Sequence, residues 1–159
     1  MKLFRIILSL VLLISLLAGC SPEAQLPSAN ELAEALKGFS SDSVNWVELD
    51  KTKTNAYFGF TDENLLAFKG YINDSEEHFD IVAVFKLEDM DKKKEIYDGI
   101  AQLTSNAGAN YRIASENEYN KINGHVIAEK EDFIILCIMD NYERIKKYLT
   151  EEIDAEIMN

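Results

Sequence analysis

Two residue types that usually carry chemistry are scarce in this chain, which has two cysteines and two histidines among 159 residues. With so few thiols, no disulfide framework can staple the fold, so stability has to come from packing. His78 and His125 are far apart in sequence, and neither sits in an H-E-x-x-H motif. The sequence also lacks G-x-G-x-x-G, a Walker loop, C-x-x-C and the G-x-S-x-G elbow, so the common nucleotide, redox and serine-hydrolase signatures are missing. Basic residues are outnumbered: 16 Lys and Arg stand against 28 Asp and Glu, for a formal charge of −12. Such a surface repels nucleic-acid phosphates and gains nothing from anionic lipid head groups. Cations, basic proteins and neutral ligands are the partners it admits.

Long apolar runs are absent except at the start. Lys2 and Arg5 precede Ile6–Ala18, which is nearly all Leu, Ile and Val, and Gly19-Cys20 follow. A spanning helix needs about 20 apolar residues, and this run is shorter. A positive beginning, a short apolar stretch and small residues before a cut describe a secretory signal. Leu17-Ala18-Gly19-Cys20 resembles the lipobox of bacterial lipoproteins. That resemblance implies cleavage before Cys20 and a diacylglycerol on its sulfur. Cleavage removes Lys2 and Arg5 and no acid, taking the formal charge from −12 to −14. Each buried methylene contributes about 0.8 kcal/mol, so two or three acyl chains, rather than charge, hold such a chain at a membrane. The expected organisation is a signal over 1–19, a lipidated cysteine and tether over 20–28, and one domain over 29–159.

The remainder alternates helical and extended patterns. Ser28-Ala29-Asn30-Glu31 is a capping box, followed by Leu32, Ala35, Leu36 and Phe39 on one helical face, with Gly38 near the stop. Asp50 opens a second short helix, closed by Gly59. Leu65–Asn73 alternates as a strand, Asn73–Glu77 is turn chemistry, and "FDIVAVFKL" over Phe79–Leu87 is a buried strand. Asp89 begins a helix whose stripe is Ile96, Ile100, Leu103 and Ala107, with Gly108 as its expected end. Ile122–Glu129 and Phe133–Met139 form a second hairpin around Lys130-Glu131-Asp132. Asp140 with Glu143 is the expected capping pair of a last helix bearing Tyr142, Ile145, Leu149 and Ile153. Hairpin–Asp–helix thus occurs twice. The expected fold is α+β: one antiparallel four-stranded sheet from two hairpin–helix units, both long helices on the same face, plus short N-terminal helices.

The lipobox, Tyr57-Phe58-Gly59, "FDIVAVFK" running into a charged helix, and "VIAEKEDFIILCIMD" together resemble small lipoproteins grouped as domain of unknown function 4358. The resemblance spans about Phe39 to Ile153. It implies a Gram-positive envelope location and an architecture, and no activity. The family pattern often has Glu where Asp80 stands and a Gly-Asn-like turn where Glu131-Asp132 stand.

Asp74, Glu76, Glu77 and Asp80, beside His78, form the densest acidic cluster. A turn can converge several carboxylates on a hard cation, but strand alternation sends neighbours to opposite faces, so binding no tighter than millimolar is expected. Otherwise the cluster is a solvated hairpin tip that discourages edge pairing. Cys137 lies between Leu136 and Ile138 with no adjacent cation, which suits core packing. Lys92–Lys94 reads as a solvated helix face, and Trp46 and Phe39 as a seal on the sheet's end. No cofactor is expected. The sequence points to a lipid-anchored, extracytoplasmic, non-catalytic module that contacts the membrane through Cys20 and meets another envelope protein. A small-ligand or cation-binding lipoprotein is the alternative, although such proteins generally close two lobes on a ligand. A carboxylate-based hydrolase ranks behind both, because it needs two facing acids at fixed separation. The anchor is directly testable: Cys20→Ala should abolish incorporation of a tagged fatty acid and leave an uncleaved precursor or a shed protein, whereas undiminished label would refute lipidation there.

Overall fold

The computed structural model describes residues 26–41, 43–60, 65–73, 75 and 77–158. The signal, Cys20, Asp74 and Glu76 lie outside the described residues. In chain order the elements are α1 (Ala29–Lys37), β1 (Trp46–Glu48), α2 (Lys51–Phe58), β2 (Leu65–Asn73), β3 (Ile81–Leu87), a 3-10 turn (Met90–Lys92), α3 (Lys93–Ala114), α4 (Glu116–Asn123), β4 (Val126–Lys130), β5 (Phe133–Ile138), α5 (Tyr142–Glu151) and β6 (Glu156–Ile157). The strands form one sheet in the order β1-β2-β3-β5-β4-β6, and every pairing is antiparallel. No helix among the described residues is long and apolar enough to cross a membrane.

Both hairpins form, but the sheet has six strands rather than four. Trp46–Glu48 and Glu156–Ile157 add short edges outside the two hairpins. The expectation that both long helices share one face is also wrong. Val82 and Val84 of β3 and Phe133, Ile135 and Cys137 of β5 pack with Leu32, Ala33 and Leu36 of α1 and Ile145 and Leu149 of α5. Ile81, Ala83, Phe85 and Leu87, with Ile134, Leu136 and Ile138, pack instead with Phe58 of α2, Ile96, Ile100 and Leu103 of α3 and Ile122 of α4. The reason is in the strands themselves. All six residues of β5 are buried, as are all of β3 except Lys86. Runs that are apolar at every position, not every second one, need cover on both faces.

Local signals account for most element ends. Ser28 and Glu31 make the reciprocal capping box, Asp50 caps α2, and Gly59 closes it in the left-handed region at φ 75°. Two helix boundaries depart from expectation. α3 continues through Gly108 to Ala114, and Ser115 ends it while capping α4. Gly108 lies on a buried helical face, where packing against α4 overrides its low propensity. The first residue of α5 follows Asn141 in the left-handed region at φ 65° with no side-chain cap, so Asp140 and Glu143 make no capping box. The β4–β5 turn consists of Glu131 and Asp132, with Glu131 at φ 53°.

Phe85 stands at the centre of an aromatic group. Its ring lies 5.2 Å from Phe68, 5.3 Å from Phe58 and 5.8 Å from Phe60. Cys137 is buried at the opposite face, and burial pushes its thiol up to about 12. It is a packing residue, as expected. Trp46 donates its indole N–H to Ser40 Oγ at 3.0 Å, and the Phe39 ring lies 5.2 Å from Tyr148, so both aromatics cover the rim of the α1–α5 face.

The two helical glycines of α3 differ in what surrounds them. A Cβ on Gly99 would stand 2.5 Å from the Phe58 carbonyl oxygen and 2.8 Å from the Phe60 ring, whereas one on Gly108 would meet nothing closer than 3.8 Å. Close approach of α3 to the end of α2 therefore requires glycine only at 99. Gly99→Ala should cost about 1–3 kcal/mol through overpacking, while Gly108→Ala should be neutral or gain up to about 1 kcal/mol from helix propensity. Urea unfolding of the two variants checks the contrast.

Candidate functional site at the polar end of the sheet

Polar side chains converge where β2 ends and β3 and α4 begin. The extended segment after the hairpin tip carries His78, Phe79 and Asp80 into β3. The Asn73 N–H donates to the Asp80 carbonyl at 2.9 Å, which closes the hairpin. Asp80 then turns inward. Its Oδ1 accepts from Lys121 Nζ and its Oδ2 from Asn73 Nδ2, each at 2.8 Å. Lys121 also reaches Glu118 Oε2 at 2.8 Å. Glu118 accepts from the Phe79 N–H at 2.8 Å, and His78 Nδ1 lies 3.1 Å from its other oxygen. The side chains of Asp80, Glu118 and Lys121 are only 5%, 9% and 7% exposed, so the bonds have to replace lost hydration.

Glu118 and Lys121 are one helical turn apart on α4, and Ser115 positions that turn by accepting the Glu118 N–H at 3.3 Å. Burial acts to raise the Glu118 carboxyl, but the bonds from Lys121, the Phe79 N–H and His78 outweigh it and hold it below the usual value of 4.5. Burial likewise acts to lower Lys121, and Asp80 and Glu118 outweigh it and hold the ammonium above its usual 10.5. Both groups stay charged near neutral pH. That suits a fixed brace rather than a proton donor or acceptor, whose pKa has to lie near the working pH.

Two clefts flank this brace. A narrow one of about 130 Å³ lies against Ser40, Ser41, Ser43 and Asp140 on one side and Asn73, Asp80 and Lys121 on the other. A broader one of about 550 Å³ runs between α4 and the start of α5, lined by Asn117, Asn120, Gly124, Asp140, Asn141 and Tyr142. His78, Lys121 and Asp140 border both. The walls are thus mostly amides, hydroxyls and charges.

Two of the four acidic residues singled out from the sequence, Glu77 and Asp80, lie among the described residues and differ in exposure. Both Asp80 oxygens are taken by protein donors, and Glu77 is solvent-exposed. Among the described residues, no group of three or more His, Cys, Asp or Glu side chains could hold a metal ion. His125 bonds the Ile122 carbonyl at 2.8 Å. Lys94 is exposed beside Asp98, but Lys93 turns back onto Glu129 at 2.6 Å, so only part of the lysine run is a solvated face. Sequence reasoning missed Asn73, Glu118 and Lys121. The Ser115-x-x-Glu118 capping pattern and the Glu118–Lys121 spacing were available signals; the 41-residue separation of Lys121 from Asp80 left no local trace.

The fold and its polar end define an antiparallel α+β domain sandwiched between helices, with a braced, cleft-bearing rim. The chain belongs to the family described as Domain of unknown function (DUF4358), whose model matches residues 40–139, more than half of the chain. The matched segment contains β1 to β5 and the brace of Asn73, Asp80, Glu118 and Lys121. No curated protein and no solved structure matches the chain.

Removing the central cation should be costly. Lys121→Met leaves two buried carboxylates without their shared partner, a loss of about 3–5 kcal/mol at pH 7. The sign of the pH dependence follows from Glu118. Its lowered carboxyl contributes stability above its unfolded value of 4.5 and loses it as pH falls through the folded value. The gap between wild type and Lys121→Met should therefore narrow on acidification from pH 7 to pH 3 in urea unfolding. A constant gap would refute the brace. The Lys121 contribution disappears only at alkaline pH, above 10.5.

Proposed function

We propose that this protein is a lipid-anchored, extracytoplasmic domain that recognises another envelope component without catalysis. The observation that carries the reading is the closed state of its buried ionic network. Asp80, Glu118 and Lys121 are each bonded at least twice within the protein, and the latter two are held in their charged forms. Spent on each other, they stiffen the end of the sheet instead of meeting a substrate. The groups left at the surface around them are Asn117, Asp140, Asn141 and Tyr142, on a broad cleft between two helices. Such fixed polar groups beside an exposed tyrosine suit a wet, specific protein contact. The acidic charge favours a basic partner surface.

A photo-crosslinking side chain at Asn117 or Tyr142, on the cleft, should trap the same membrane protein in intact cells. The same probe at exposed Lys94, near the start of α3, should not. Asp140→Arg should weaken the adduct from both cleft positions at least several-fold. Adducts that are the same from all three positions, or insensitive to Asp140, would refute recognition at this cleft.

A further inference from the structure

The other end of the sheet carries a groove of about 990 Å³. Leu26, Phe133 and Tyr148 line it beside the charged Glu31, Lys86 and Glu131. At its rim Leu66 is 59% exposed, an unusual place for a large apolar side chain on a strongly acidic surface. This groove and the polar clefts lie at opposite ends of the same strands. β2 leaves the groove at Ala67 and reaches the brace at Asn73, six residues or about 20 Å on. β5 runs the same way, from Phe133 at the groove to Met139 and Asp140 at the cleft. α1 likewise begins at the groove and is followed by Ser40 and Ser41 at the cleft.

Leu26, two residues before the Ser28 cap of α1, lines this groove. Five residues lie between Cys20 and Leu26, and over those six steps a fully extended chain spans no more than about 3.6 Å per residue. Leu26 therefore lies within about 22 Å of the Cys20 backbone, which would carry any lipid. We propose that the groove end, with Leu66 at its rim, docks on the lipid bilayer, so that anchoring orients the polar clefts away from the membrane and toward the partner. This rests on the lipid-anchored reading above. The occupant is a bilayer rather than a peptide because the short tether confines the groove to the interface. The orientation of the assembly then follows from the strand direction: groove end inward, polar clefts outward.

The lipidated full chain, reconstituted in zwitterionic phosphatidylcholine vesicles, tests this. Leu66→Cys and, separately, Ile113→Cys each provide one dye site; Cys137 is buried and does not compete. Ile113 is 96% exposed at the end of α3, beyond Tyr111, whose ring lies 6.1 Å from Phe79 at the polar end of the sheet. A quencher carried near the top of the acyl chains should quench the dye at 66 at least threefold more strongly than the dye at 113. Equal quenching at the two positions, in protein that floats with the vesicles, would overturn docking and leave the anchor intact. Protein that does not float with the vesicles would overturn the anchor and docking together. Exposed sites were chosen so that neither substitution disturbs the core, and matching thermal unfolding curves for the two labelled proteins confirm it.

Discussion

The constraint on which the rest of this structure depends is the two-sided burial of β3 and β5. These strands are adjacent at the centre of the sheet, paired from Ile81 with Ile138 to Lys86 with Phe133. Alternate residues go to opposite faces, and both sets are apolar. One face cannot be left to water without exposing several large side chains, each worth about 1.5–3 kcal/mol in burial. Helices therefore have to lie on both sides. The same demand explains why the chain takes α1 and α5 to one face and α2, α3 and α4 to the other, although the two hairpin–helix units look alike in sequence.

A sheet buried on both faces still has to end somewhere, and its ends expose strand termini. At one end the solution is ionic. Lys121 reaches from α4 to Asp80 at the start of β3, and Asn73 at the end of β2 completes the bond set. Glu118 ties the same helix to the backbone of Phe79. The helix, the hairpin and the lead into β3 are held in one arrangement at the cost of desolvating three charges. A buried pair of this kind contributes little net stability over an apolar replacement, but breaking it is expensive. Its value lies in fixing geometry, which is what a recognition surface requires.

Sequence reasoning found what is local and lost what is not. The caps at Ser28 and Asp50, the helix stop at Gly59, both hairpins and the buried Cys137 are written in short-range patterns and appear as expected. Edge strands of three and two residues are too short to show a period, so β1 and β6 were invisible. The error over helix placement came from giving too little weight to "IVAVF" and "FIILCI" as continuous apolar runs. Gly108 misled because a glycine signals a stop only where packing does not hold the helix together. At the site, Asp80 was noticed for its neighbours in sequence, whereas its partners come from a helix some forty residues away. Only the folded arrangement distinguishes a tip carboxylate from a buried one.

The position of α1 has a mechanical consequence. It lies along the sheet from the groove to the cleft, with its first turn nearest the upstream chain. Tension transmitted from before Leu26 therefore pulls along the helix axis and across its side-chain contacts, loading them in shear and together. A segment attached at the far end would instead be peeled away one turn at a time, each turn yielding under a small force. The first groups to feel the load are Ser28 and Glu31, whose reciprocal bonds close the helix at that end. Leu32, Ala33 and Leu36, all buried against the sheet, come next.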